Sequence, residues 1–225
     1  MSQTGLPPRQ GLYDPQYEHD ACGVGFIVDV HGRKSHDIVQ KGIGILVNLA
    51  HRGACGCENN TGDGAGILLQ MPHRFLEREC GRLKIELPPA GGYGTGVVFL
   101  PSNADDRRRC EQIFEEVVRE EGQKFLGWRD VPTSNAPIGP TARGTEPVMR
   151  QPFIQAHGLP PVGVGVNEDG LAFERKLYVI RRRVENAVKT SDIAQRGMFY
   201  VPSLSFKTLV YKGMLISTQL EDYLR

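Results

Sequence analysis

Apolar residues recur in this chain with two different periods, and the order in which those periods alternate restricts the fold more than any other feature. Val24, Phe26, Val28 and Val30 alternate with Gly23, Gly25, Ile27 and Asp29, which predicts a strand from Cys22 to Val30 closed by a turn at His31-Gly32. Ser35 is then placed to cap a helix whose stripe is Ile38, Ile45, Leu46 and Leu49, ending near Ala50. Gly42 and Gly44 lower the propensity of that helix, and close packing on a sheet is the simplest reason for them. Strands follow at Ala65 to Met71 and Tyr93 to Leu100, with a short helix from His73 to Cys80 between them. Ser102 is read as the cap of a long helix to about Glu121, with Cys110, Ile113, Phe114, Val117 and Val118 on its buried face.

Lys124 to Val131 and Val148 to Gln155 read as strands, separated by a proline- and glycine-rich loop from Pro132 to Pro147. Beyond a polar connection from Pro160 to Gly170, Phe173, Leu177, Ile180, Val184 and Val188 mark a second long helix. Tyr200 to Tyr211 reads as strand, turn and strand, and Leu215 to Leu224 as a last amphipathic helix. Strands alternate with helices in the first half but follow one another near the end. That order fits an α+β arrangement of layers better than a doubly wound parallel sheet.

With 225 residues, the chain can bury roughly 70% of its unfolded surface without disulfide staples. A net charge of +1 gives no reason to expect nucleic acid or an anionic membrane as partner. Arg107-Arg108-Arg109 and Arg181-Arg182-Arg183 have acids nearby and read as solvated helix faces. No apolar run approaches the roughly 18 residues of a membrane span. Residues 1–21 include Pro7, Pro8, Asp14, Pro15 and Glu18 and lack the apolar run of a secretory signal, and residues 1–18, polar and proline-rich, read as an extended leader. Five cysteines at irregular spacing point to a reducing compartment, with the cytoplasm as default.

The chemistry concentrates between His19 and Gly66. Cys22 stands at the mouth of the first predicted strand between small neighbours, either as a small buried hydrophobe or as a nucleophile. Removal of the leader would leave Cys22 with a free α-amino group, whose usual pKa of about 7.7–8.0 suits it to accept the thiol proton. Arg52 reads as a surface residue, an ion-pair partner or a fixed cation near the thiolate. Gly62, Asp63 and Gly64 form a turn through which backbone can approach a small ligand. A phosphate site is poorly supported there, because a strand-like run follows the turn rather than a helix, and no Gly-Lys-Ser/Thr is present. Cys55-Gly56-Cys57 with His51 raises a non-catalytic metal module, but Cys80 and Cys110 are isolated and supply no second pair. No metal site is assigned.

Glu18-His19-Asp20-Ala21-Cys22-Gly23-Val24-Gly25-Phe26, His51-Arg52-Gly53-Ala54 and Thr61-Gly62-Asp63-Gly64-Ala65-Gly66 resemble the start of glutamate synthase large subunits. Phe173-Glu174-Arg175-Lys176-Leu177-Tyr178 and Leu209-Val210-Tyr211-Lys212-Gly213-Met214 are similar to the same family and lie in the same order. The resemblance implies a class II glutamine amidotransferase domain over residues 22–225. Its implied fold is that of the N-terminal-nucleophile hydrolases, an αββα sandwich, here incomplete at its C-terminus. It further implies cleavage between Ala21 and Cys22, attack of Cys22 on the glutamine side-chain amide, and Arg52 as the active-site arginine.

The ammonia released would pass to a synthase domain of the same polypeptide that aminates 2-oxoglutarate using FMN and an iron–sulfur cluster, neither held by this chain. Electrons would come from a pyridine-nucleotide-dependent small subunit or from ferredoxin. The family's oxyanion hole uses an Asn-Gly pair, and no Asn-Gly dipeptide occurs in these 225 residues. Losing one oxyanion donor costs roughly 10²–10³ in rate, so the chain alone is expected to show little glutaminase activity. The alternative within enzymes is the amidotransferase of another glutamine-dependent enzyme, such as an amidophosphoribosyltransferase.

Overall fold

A computed structural model describes residues 8–11, 14, 23–50, 58, 60–158 and 168–224, with 168–170 as backbone alone. Most of the predicted leader, Cys22, His51, Arg52, Cys55, Cys57 and most of the polar connection after His157 lie outside the described residues.

The elements in chain order are α1 (His36–Asn48), β1 (Ala65–Gln70), α2 (His73–Arg82), β2 (Tyr93–Thr95), β3 (Val98–Leu100) and α3 (Ala104–Glu120). They continue with β4 (Lys124–Asp130), α4 (Pro140–Gly144), β5 (Val148–Gln155), α5 (Glu168–Thr190), β6 (Thr208–Gly213) and α6 (Leu220–Tyr223). β5 is the central strand of a four-stranded sheet. It pairs antiparallel with β2 and β3 along one edge and with β4 along the other. β1 and β6 form a second antiparallel sheet, in which Ile67 faces Tyr211. Among the described residues every strand pairing is antiparallel and two sheets form, a mixed α+β architecture.

Helices α3 and α5 cover one face of the large sheet. The residues expected from helical spacing are those that pack there: Cys110, Phe114, Val117 and Val118 from α3, and Phe173, Leu177, Ile180, Val184 and Val188 from α5. They meet Val98, Leu100 and Ile154 from the strands. The arginine runs are paired surface features, as expected. Arg108 meets Asp105, Arg109 meets Asp192, and Arg183 meets Glu120 and Glu121. The opposite face of the large sheet offers Val97, Phe99 and Met149, which pack with Leu209 and Ile67 of the small sheet.

Several sequence expectations need correction. Residues 23–30 form no strand among the described residues, and the face expected inside is outside: Val24 is 87% and Phe26 86% exposed. The opposite side is the more covered one, half-buried at Gly23, Ile27 and Asp29, although Gly25 itself is exposed. A Cβ on Gly25 would meet Ile45 Cγ2 of α1 at 2.3 Å, so only glycine allows that contact. A period of two defines two faces without saying which is buried. Asn103, not Ser102, caps α3. Its Oδ1 accepts from the amides of Asp105 and Asp106 at 2.9 and 3.0 Å, while Ser102 Oγ donates to Gln195.

The strand expected from Tyr93 to Leu100 is split into β2 and β3. Tyr200 and Ser205 make single bridges to Phe99 and Thr95, so only β6 forms from the expected pair of strands. The last expected helix shrinks to a 3₁₀ turn, Ser217–Gln219, followed by α6. The loop from Pro132 to Pro147 contains α4.

Ser35 does cap α1, accepting from Ile38 N at 3.3 Å. Gly42 abuts the small sheet, where a Cβ would stand 3.2 Å from Ile67 Cδ1, but Gly44 faces open space. The close-packing explanation therefore holds for one glycine of the two.

Candidate functional site

The turn that carries Gly62, Asp63 and Gly64 runs directly into β1, and neighbouring polar side chains hold it. Glu58 accepts from Thr61 Oγ1 and Thr141 Oγ1, both at 2.7 Å, and from Thr141 N at 3.3 Å. These hydroxyl hydrogen bonds, Thr141's first, hold the Glu58 carboxyl below its usual 4.5. Gln219, almost fully buried, donates through Nε2 to the carbonyls of Asn60 and Pro137, each at 2.8 Å, and accepts from Ile216 N through Oε1. One amide thus ties together the turn before β1, the segment before α4 and the chain after β6. All its hydrogen-bonding capacity toward the interior is used.

Gly62 is buried against the 215–216 backbone, where a Cβ would come within 2.3 Å of Ile216 N and 2.4 Å of the Leu215 carbonyl carbon. Gly64 has φ +139°, a conformation that favours glycine. The two glycines therefore serve different purposes: the first permits close approach and the second permits the bend. Asp63 between them is exposed.

Asp63 and Gly64 open onto a cavity of about 1250 Å³. Gly23, the residue after Cys22, lines it too, as do Glu146, Tyr200 and Lys212. Its size exceeds the ~300–1,000 Å³ usual for a small-molecule pocket. Phe99, Met149 and Leu215 give it apolar walls, so the few charged groups stand out against a poorly solvating surface. Glu146 is anchored by the Tyr223 hydroxyl at 2.9 Å and by Asn135 Nδ2 at 3.3 Å. Burial and the neighbouring Glu146 carboxylate push the Tyr223 hydroxyl well above its usual pKa, which keeps it a donor.

Of the residues expected to form a site, Gly62, Asp63 and Gly64 are brought to one turn at the cavity. Cys22 and Arg52 lie outside the described residues, although the Gly23 backbone marks where the chain leaves Cys22. Cys80 and Cys110 are completely buried, in two different apolar clusters, and burial pushes each thiol up to about 11. They are inert packing residues. Among the described residues no group of three or more His, Cys, Asp or Glu could hold a metal ion. The turn feeds a strand, as expected, so it has no helix N-terminus to offer a phosphate.

Sequence reasoning passed over Glu58, Gln219, Tyr200 and Lys212. Lys212 belongs to a motif of the resemblance, and its cross-strand partner Gly66 belongs to another, but only the pairing of β1 with β6 joins them.

Residues 22–225 match the family model described as "Glutamine amidotransferases class-II". The chain is similar to the "Glutamate synthase [NADPH] large chain" of Bacillus subtilis, 42% identical over 99% of this chain and 14% of that protein. It is also similar to "Glutamate synthase [NADH]" of Saccharomyces cerevisiae, 39% identical over 97% of this chain and 10% of the relative. Against the "Ferredoxin-dependent glutamate synthase 2" of a Synechocystis strain, identity is 34% over 92% of this chain and 12% of the relative. The chain therefore spans about a seventh or less of the length of these curated relatives. With a turn of two constrained glycines and the Gly23 backbone meeting at one cavity, and with the family match running from Cys22 onward, the chain belongs to the class-II glutamine amidotransferases.

Proposed function

We propose that this chain is the glutaminase part of a glutamate synthase and that Cys22 is its nucleophile. The observation that carries the reading is the meeting of Gly23, Asp63 and Gly64 at one cavity, in a chain whose family match starts at residue 22. Residues 1–21 are a leader removed between Ala21 and Cys22, and residues 22–225 belong to the amidotransferase domain. The freed α-amino group takes the proton of the Cys22 thiol, and the sulfur bonds to the side-chain carbonyl carbon of glutamine. The carbon–nitrogen bond then breaks, and the nitrogen leaves as ammonia with the proton held by the α-amino group. Water adds to the thioester, releasing glutamate and regenerating the thiol. Arg52 supplies a fixed positive charge near the thiolate, while Gly62, Asp63 and Gly64 shape the backbone against the substrate.

The domain continues the αββα sandwich beyond these residues. The oxyanion donors come from that further polypeptide, since no Asn-Gly pair is present here. Ammonia passes to a synthase region of the same polypeptide that aminates 2-oxoglutarate. FMN and an iron–sulfur cluster belong to that region. The relatives' names include NADPH, NADH and ferredoxin, and the reading covers a small pyridine-nucleotide-dependent subunit or ferredoxin as electron source. A cytoplasmic location accords with the odd cysteine count, and no helix among the described residues is long and apolar enough to cross a membrane.

The test is intact mass and peptide mapping of the full-length polypeptide, before and after exposure to a glutamine analogue bearing an electrophilic diazoketone. Loss of residues 1–21 and a single adduct on Cys22, both absent in Cys22→Ala, are expected. A processed protein that takes no adduct, or takes it on another cysteine, would overturn the assignment.

A further inference from the structure

Between the two sheets, the apolar packing is interrupted by a charge. Arg129 of β4 is only 5% exposed, and its partner in register on β5, Gln151, is completely buried. Arg129 Nη1 donates to Gln151 Oε1 at 2.7 Å, and the guanidinium lies 5.4 Å from the centroid of the Phe75 ring on α2. Met149 and Phe153 share the Gln151 face of β5 yet belong to two different apolar clusters, so the pair occupies the seam between those clusters.

From the small sheet, Tyr211 of β6 meets this pair. Burial raises the pKa of its hydroxyl, and the Arg129 charge opposes that rise, followed by the donors that Gln151 and Arg129 direct at it. Even so, Gln151 Nε2 completes no hydrogen bond and is left buried without a partner. Thr95 Oγ1 is stranded in the same way, on a residue that pairs with Phe153 and therefore faces the same side of the sheet.

The charge on Arg129 has no carboxylate within 4.0 Å among the described residues. Glu79 on α2 feels it at longer range, but engages Arg78 and Arg82 instead, at 3.3 and 2.9 Å. The contrast is with Arg150 on the other face of β5, which has Glu111 at 2.8 Å and Asp130 at 2.6 Å. A buried charge without a counter-charge is costly. Arg129, Gln151 Nε2 and the Tyr211 hydroxyl are all able to donate, and the seam lacks a shared acceptor. A water would bring two protons of its own to place and no charge. A small anion accepts from every one of these donors and neutralises the guanidinium.

We propose that the seam binds one small monovalent anion, of chloride size, between Arg129, Gln151 Nε2 and Tyr211 Oη. Because Tyr211 lies across from Ile67 of β1, the ion ties the sheet that follows the glycine turn to the four-stranded sheet. None of these three anchors lines the cavity, so the site is separate from that of the substrate.

The test is crystallisation of the full-length polypeptide from bromide, with data collected above the bromine absorption edge. One anomalous peak in contact with all three anchors is expected. It should vanish in Arg129→Met and lose most of its height in Tyr211→Phe, which removes one donor and keeps the ring. A water without anomalous signal, or Arg129 closed directly on Glu79, would overturn the proposal. So would a peak of undiminished height in either variant. In solution, bromide at a hundredfold excess over its Kd should raise the folding constant of wild type about 100-fold at fixed ionic strength. A response no larger in wild type than in Tyr211→Phe overturns the site even if Arg129→Met does not fold.

Discussion

The two sheets of this molecule are built on opposite terms. Around β5, the four-stranded sheet is flanked by α3 and α5, and sixteen buried residues among those described form one continuous cluster there. The two-stranded sheet of β1 and β6 has α1 as its neighbour, and no residue of α1 is fully buried. Leu68 on β1 is 65% exposed, as is Met214 just after β6 at 68%. The large sheet is stabilised by burial, which is non-directional and tolerant. The small sheet buries one face through Leu209 and Ile67, and depends besides on close glycine contacts and on a few directed hydrogen bonds, from Glu58 and Gln219. That half borders the cavity. A cavity kept open for a ligand is incompatible with dense packing around it, so stability resides in the neighbouring sheet and the site leans on it.

Thiol reactivity should separate the halves most strongly. With pKa values near 11, Cys80 and Cys110 carry about a thousandth of their population as thiolate at pH 8, whereas the proposed nucleophile Cys22 should react within minutes. Iodoacetamide labelling followed by peptide mapping measures this, and rapid modification of Cys80 in folded protein would break the distinction. Next in size is Phe114→Ala, which should cost about 3–5 kcal/mol in urea unfolding because Phe114, on the inner face of α3, is completely buried with its ring edge-on to Trp128. Its effect on Cys22 labelling should be slight while the protein remains folded.

Gln219→Leu reverses that pattern. It strands two carbonyls and one amide, for a loss of about 1–3 kcal/mol, yet should slow labelling by the diazoketone analogue severalfold through the displaced turn. Parallel losses of stability and labelling in both variants would mean the halves are not separable.

The smallest effect concerns pH. Glu58 is held below its usual 4.5, so its contribution to stability is fully present above that value and is lost as pH falls through the depressed one. Thermal midpoints of wild type and Glu58→Gln should therefore differ at neutral pH and converge in acid. Parallel curves throughout would exclude Glu58 as a support of the turn.

Much of the large sheet was legible in the sequence because its period and its burial agree. Phe173 to Val188 could be read as one buried stripe, and it is one. The small sheet was harder to read for a physical reason. Alternation at Val24 to Val30 located a two-sided segment, yet the small Gly25 side, not the valine side, is the one that fits against Ile45. Asn103 displaced Ser102 as a cap because its longer side chain reaches two amides at once. The glycine turn was legible as a turn, since few other residues follow that path. Its supports were not, because Glu58 reaches Thr141 across 83 residues of sequence and Gln219 reaches Asn60 across 159.

The pairing of β1 with β6 also sets a clock. Ala65 waits for Gly213, its partner at the far end of the chain, and among the described residues β1 has no other strand to pair with. At ribosomal rates of about 5–20 residues per second, that partner emerges roughly 7–30 s later. The glycine turn and its strand therefore spend that interval as nascent polypeptide, while β2 to β5, with shorter loops to close, can already assemble. The cavity therefore forms only once β6 has been made, and any cleavage that depends on it must follow synthesis through that strand.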